Sequence, residues 1–162
     1  MLRSAYIVYS SSTGHTEFVV DTLIDWLQKN SRDLRVVKQR AEKTTEADLL
    51  AGDILILACG SWNTGNSEGQ LSPFMFDLLI NRVKTIDLGG KPATAIGLGD
   101  ERYFFTCKAV DHLTDFLKNH NANLFLPPLK IINDPYDQEE KVTRWSEALL
   151  AQIDKLPLPT HQ

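Results

Sequence analysis

The sequence predicts an α/β fold, a doubly wound parallel sheet with helices on both faces. Strand-like stretches alternate five times with stretches of helical periodicity, and right-handed crossovers then place the helices on both sides of the sheet. Residues 53–59 are an almost unbroken apolar run, which suits a central strand covered on both faces. The length of 162 residues fits one domain of this kind with a real core and leaves little room for a second.

Each element has its own signal. Residues 3–9 alternate and then run apolar, as a buried strand does. From 16 to 29, Phe18, Val19, Val20, Leu23, Ile24, Trp26 and Leu27 recur at helical spacing, and Asn30 with Ser31 ends that helix. Residues 34–38 read as a second strand, and 44–50 as a short helix stopped by Gly52. After the central strand comes a long polar loop over 60–69. Ser72 and Pro73 open a helix whose apolar residues are Phe74, Met75, Leu78, Leu79 and Val83. Residues 92–98 form a fourth strand, and 107–119 a helix with Val110, Leu113, Phe116 and Leu117 on one face. A last strand over 123–132 is interrupted by Pro127 and Pro128, and an amphipathic helix spans 138–155. The expected unit is residues 1–156, with 157–162 as a frayed tail.

Composition removes several function classes. A net charge of −4 without a basic stripe argues against nucleic acid as a partner. No apolar run approaches the roughly 20 residues of a membrane span, and no signal-peptide pattern opens the chain. Cys59 and Cys107 lack metal-type spacing, so a reducing cytoplasm suits them better than a disulfide scaffold, and no metal is expected.

In such sheets, ligands bind outside the carboxyl ends of the strands, which directs attention to residues 10–16, 60–69 and 99–107. The first stretch, Ser10, Ser11, Ser12, Thr13, Gly14, His15 and Thr16, joins a strand to a helix. Its hydroxyls, N–H groups and helix end suit an anion such as phosphate, and they equally suit a simple helix cap. It has no Gly-Lys-Ser/Thr of a triphosphate loop, and Arg102 stands where a dinucleotide fingerprint after Gly97 and Gly99 needs its third glycine. The second loop sets Trp62 directly after a buried strand, where it should cover something. Asn63 and Gly65 tolerate positive φ, so the Asn63–Thr64 peptide has two accessible orientations. In the third loop, Tyr103, Phe104 or Phe105 either faces Trp62 across a flat ligand or packs under the following helix.

Together the three loops resemble the flavodoxin family over essentially the whole chain. The resemblance rests on Ser11, Ser12, Thr13, Gly14, His15 and Thr16; on Ser61, Trp62, Asn63, Thr64 and Gly65; and on Gly99, Asp100, Tyr103 and Cys107 with Ala109, Val110 and Asp111. The last strand has no long insertion, so the chain looks like a short-chain member. The resemblance implies a flavodoxin-like five-stranded sheet in the order 2-1-3-4-5 and one non-covalent FMN. Residues 11–16 would hold its phosphate without a cationic side chain. Trp62 and Tyr103 would flank the flavin ring, and Gly60, Gly65, Gly99, Asp100, Phe105, Thr106 and Cys107 would complete the cofactor contacts.

The implied role is a low-potential one-electron carrier, a likeness that points to no catalytic residues and a monomer. Its donor would be a flavodoxin reductase or another oxidoreductase, and its acceptor a redox enzyme. The carbonyl before Thr64 would turn toward flavin N5 on one-electron reduction and favour the neutral semiquinone. Gly60 stands where many relatives carry a hydroxyl near the phosphate. Residues 60–70 contain only Glu68 as an acid, and the charges of 99–108 sum to zero, which implies a second couple less negative than in strongly acidic relatives. His15 is expected to face solvent rather than pair with the phosphate. The alternative is an FMN-dependent two-electron quinone or NAD(P)H reductase of the same fold.

Overall fold

β3 (Ile54–Thr64) is the middle of the molecule, and its alternation shows how the core divides. Leu55, Leu57 and Cys59 join one apolar cluster, while Ile54, Ile56 and Ala58 join the other on the opposite face. The computed structural model describes residues 2–64, 67–101 and 107–158. Around β3 lie β1 (Arg3–Tyr9), α1 (His15–Asn30), β2 (Leu34–Arg40) and α2 (Glu46–Leu50). After it come β4 (Ser67–Leu71), α3 (Pro73–Phe76), β5 (Pro92–Gly99) and α4 (Ala109–Asn119). β6 (Asn123–Leu124), β7 (Leu129–Ile132) and α5 (Glu139–Lys155) complete the order.

The parallel strands run β2-β1-β3-β5-β6, with β7 also paired to β5. Setting β4 aside and taking β6 and β7 as one interrupted strand, this is the order 2-1-3-4-5 that the resemblance implies. β1 pairs with β2 on one side and β3 on the other, so strand order reverses there and opens a crevice at the carboxyl ends. α1 and α5 cover one face with Val19, Val20, Leu23, Leu27, Val142, Leu149 and Ile153. Met75, Leu78, Leu79, Val110, Leu113 and Leu117 cover the other. α4 comes unusually close to β5, because a Cβ on Gly97 would lie 2.6 Å from the Val110 Cβ.

The structure corrects two readings. Residues 60–69 are not a loop throughout: β3 continues to Thr64 and pairs antiparallel with β4, Ser61 opposite Leu71 and Trp62 opposite Gln70. Parallel pairing with β5 ends at Gly60 opposite Leu98, and the hairpin supplies the partners that the backbone beyond it needs. The helix opened by Pro73 remains α-helical only to Phe76, and residues Asp77–Arg82 are π-helical, with the Val83 N–H bonded to Leu78 O at 3.0 Å. Arg82, in its last turn, donates to Thr44 O (2.6 Å) and Ala41 O (2.7 Å) and so ties this segment to the chain before β3. Phe74, on that short helix, is half exposed. None of the helices among the described residues is long and apolar enough to cross a membrane.

Candidate functional site

The crevice at the β1/β3 switch holds a cavity of about 580 Å³. Ser10, Ser11, Ser12, Thr13, His15 and Thr16 line it from the turn after β1. Gly60, Ser61 and Trp62 line it from β3, and Leu98, Gly99, Asp100 and Glu101 from β5. Asn133 and Asp134, after β7, close the wall.

The turn after β1 has the geometry of an anion cradle. The Ser10 N–H ties to Ala58 O at 3.0 Å and fixes where the chain leaves β1. Gly14 caps α1 at φ 88°, a left-handed conformation that glycine adopts without strain, and no side chain caps this helix end. The Phe18 N–H bonds back to Gly14 O and the Glu17 N–H to Ser11 Oγ at 3.3 Å. Among the described residues, nothing accepts from the N–H groups of Ser12, Thr13, His15 or Thr16. Four unpaired donors at the positive end of a 16-residue helix, with hydroxyls beside them, suit a phosphate in donor type and charge. The Ser11 hydroxyl and the Gly14 carbonyl satisfy the N–H groups of Glu17 and Phe18, and the N–H groups before them have no such partner among the described residues.

Glu17 and Tyr9 stand behind the turn. The Tyr9 hydroxyl donates to Glu17 Oε2, and this bond, with the nearby Lys38 and Arg40, holds the Glu17 carboxyl below its usual range. Burial, then the Glu17 bond and charge, push the Tyr9 phenol up to about 12.

Trp62 is 39% exposed at the cavity rim, as a side chain awaiting a flat partner would be. Pairing of β3 with β4 slips between Trp62 and Thr64, so Asn63 sits at an irregularity where its backbone is least constrained. Ser61 Oγ accepts the Ala109 N–H at 3.0 Å and so anchors the start of α4. Asp100 and Glu101 both line the cavity, and the Glu101 N–H donates to Asn133 Oδ1 at 3.0 Å.

The structure therefore gathers Ser11, Ser12, Thr13, His15, Thr16, Gly60, Ser61, Trp62, Gly99 and Asp100 around one space. His15 is exposed, and its ring meets the edge of Tyr136 at 5.5 Å. Gly14 shapes the turn without lining the cavity, and Asn63 and Thr64 contribute as backbone of β3. Gly65, Tyr103, Phe105 and Thr106 lie outside the described residues. Cys107 does not line the cavity: its thiol donates to Gly97 O at 3.2 Å and burial pushes its pKa up, while the Cys59 thiol, fully buried, is pushed up to about 12. Both are inert core thiols. Leu98, Asn133 and Asp134 are cavity residues that the sequence reading left out, while Ser10 and Glu101 fall in the first and third loops it singled out. Asp134 matters for charge, since it adds a carboxylate to a wall whose local sum over 99–108 is zero.

Comparison with known proteins converges on one family. The family model described as Flavodoxin matches residues 7–145. A probable flavodoxin 2 of Bacillus subtilis is 31% identical over 83% of this chain and 85% of its own. A flavodoxin of Maridesulfovibrio salexigens is 28% identical over 94% of this chain and all of its own. Among solved structures, oxidised flavodoxin 2 from Bacillus cereus superposes with a TM-score of 0.81 at 32% identity, covering 94% of this chain and 99% of that one.

Proposed function

The chain belongs to the flavodoxin family of FMN electron carriers, and from that premise we propose that it carries electrons one at a time between a donor oxidoreductase and an acceptor enzyme. FMN supplies the redox chemistry. The chain supplies its seat, its screening and the hydrogen bonds that adjust its potential. The observation that carries the reading is one cavity lined both by the turn whose N–H groups are unpaired among the described residues and by Trp62. That pairing of an anion cradle with a flat aromatic wall matches a flavin mononucleotide in both halves.

In this reading Ser11, Ser12, Thr13 and Thr16 hold the phosphate through N–H groups and hydroxyls. Trp62 shields one side of the ring, and Tyr103 is assigned to the other. The backbone of Gly99 and Asp100 faces the pyrimidine edge. The Asn63–Thr64 peptide, at the slip in the hairpin, changes orientation to match the protonation of the ring. One hydrogen bond of about 1 kcal/mol shifts a one-electron couple by tens of millivolts, because 59 mV is about 1.4 kcal/mol. Asp100, Glu101 and Asp134 disfavour extra negative charge on the cofactor. The protein acts as a carrier without substrate turnover, as a monomer and in the cytoplasm. Residues 1–156 serve as one FMN-binding unit.

Isothermal titration of apo-protein with FMN and with riboflavin tests the seat. The expected result is one FMN per chain, bound more tightly than riboflavin. Equal affinities would remove the phosphate cradle from the account.

A further inference from the structure

Arg40 ends β2 and is the register partner of Tyr9 at the end of β1. Its guanidinium does three things at once. Nη1 donates to Ser11 O at 3.2 Å, Nη2 donates to Glu17 Oε2 at 3.0 Å, and the group lies over the Tyr9 ring at 5.3 Å from the centroid. The Tyr9 hydroxyl donates to the same Glu17 oxygen, and the Glu17 N–H donates to Ser11 Oγ at 3.3 Å. Ser11 is thus held at its carbonyl by Arg40 and at its hydroxyl by the Glu17 N–H, and neither of these residues is part of the cavity wall.

Peptide geometry makes the Ser11 contact matter for the next donor. A trans peptide directs its N–H opposite to its C=O, and none of the described peptides is cis. By drawing the Ser11 carbonyl outward, Arg40 sets the Ser12 N–H in the opposite direction, and Ser12 lines the cavity with that N–H unpaired among the described residues. The Ser11 hydroxyl accepts from Glu17, which leaves its own proton to donate. Glu17 would otherwise set a carboxylate in the first turn of the helix that receives the anion, and Arg40, with Lys38 at 3.9 Å, offsets that charge.

We propose that Arg40 is the positioning residue of the phosphate cradle: it fixes the Ser11–Ser12 peptide in the donating orientation and neutralises Glu17, so that the turn selects a phosphorylated flavin. This rests on the FMN reading above and assigns a cationic residue to a cradle that has no cation of its own. Arg40 acts through Ser11, Ser12 and Glu17 and does not itself contact the ligand.

The test compares wild type with Arg40→Met, which keeps an apolar stem on the Tyr9 ring, and with Arg40→Gln as a second variant should the first fold poorly. Dissociation constants for FMN and riboflavin are measured by fluorescence quenching, and the melting temperature of each apo-protein is followed with added inorganic phosphate. The expected result is a loss of FMN affinity of about 10-fold with riboflavin affinity unchanged, and a smaller phosphate-induced rise in melting temperature. A parallel loss for both flavins would make Arg40 a general support of the fold and overturn the proposal, as would undiminished FMN binding. If the wild type bound no FMN, the cofactor reading would fall. The phosphate series would then decide the cradle separately, an Arg40-dependent rise sustaining the proposal and an Arg40-independent one overturning it.

Discussion

Ser61 Oγ, at the carboxyl end of the central strand, accepts the N–H of Ala109, the first residue of α4 and 48 positions further along the chain. Lys108, in the capping position, makes no side-chain cap bond, so Ser61 performs the capping from another element. Ser61→Ala should therefore cost about 1 kcal/mol of stability. Urea denaturation measures this, and a change within error of zero would show that the cap carries no weight. FMN affinity should fall as well, because the same bond fixes the start of α4 beside the segment between β5 and that helix.

Gly97 and Gly60 should respond in opposite ways to a methyl group. A Cβ on Gly97 meets the Val110 Cβ at 2.6 Å and its N at 3.1 Å, so α4 has to move away from the sheet. Gly97→Ala should cost about 1–3 kcal/mol as overpacking. A Cβ on Gly60 meets nothing nearer than Trp62 Nε1 at 3.7 Å. Gly60→Ala should leave the melting temperature of the apo-protein within experimental error.

That room at Gly60 allows a gain of function. Gly60 lines the cavity, and its backbone lies outside the positive-φ region that only glycine favours. Gly60→Ser should tighten FMN by about 5- to 10-fold, the worth of one hydrogen bond of about 1 kcal/mol or slightly more. Riboflavin affinity should not change if the new hydroxyl meets the phosphate, and titration calorimetry with both ligands checks this.

The Tyr9–Glu17 bond predicts a shift that NMR can read. Tyr9 is the largest cause of the low Glu17 pKa, ahead of Lys38 and Arg40. A depressed carboxyl contributes stability above its unfolded value of about 4.3, and this is lost as pH falls through the folded value. In Tyr9→Phe the folded pKa rises toward ordinary, so that contribution shrinks and its loss is complete at a higher pH than in wild type. The Glu17 side-chain ¹³C shift, followed from pH 7 to 2, should show a higher midpoint in the variant. An unchanged midpoint would assign the depression to the cations alone.

Much of this was legible in the chain. The bounds of β1, α1, β3's inner half, β5 and α5 follow from apolar periodicity, because each buries a face with an unbroken pattern. The hairpin was not legible: its residues, from Ser61 to Leu71, carry Gly, Asn and Ser with no alternation, and the pairing there is antiparallel between backbone segments with no apolar pattern to announce it. The cradle could be read because its composition is unusual over a short stretch. Asn133 and Asp134 could not, since their place depends on β7 ending level with β5. A signal was present all the same: Asn133 adopts φ 70°, and Asn before Asp-Pro marks a turn at the same carboxyl edge. Arg40 was hidden for a similar reason. Only the register of β2 against β1 shows that the end of one strand supports the turn after the other.

The central claim is that this chain moves electrons singly through FMN. Stepwise anaerobic reduction of the FMN-loaded protein, followed by absorbance, tests it most directly. The account predicts two resolved one-electron steps, with a long-wavelength band that rises in the first and falls in the second. Bleaching in a single two-electron step, with no such band at any point in the titration, would contradict it and favour a reductase built on the same fold.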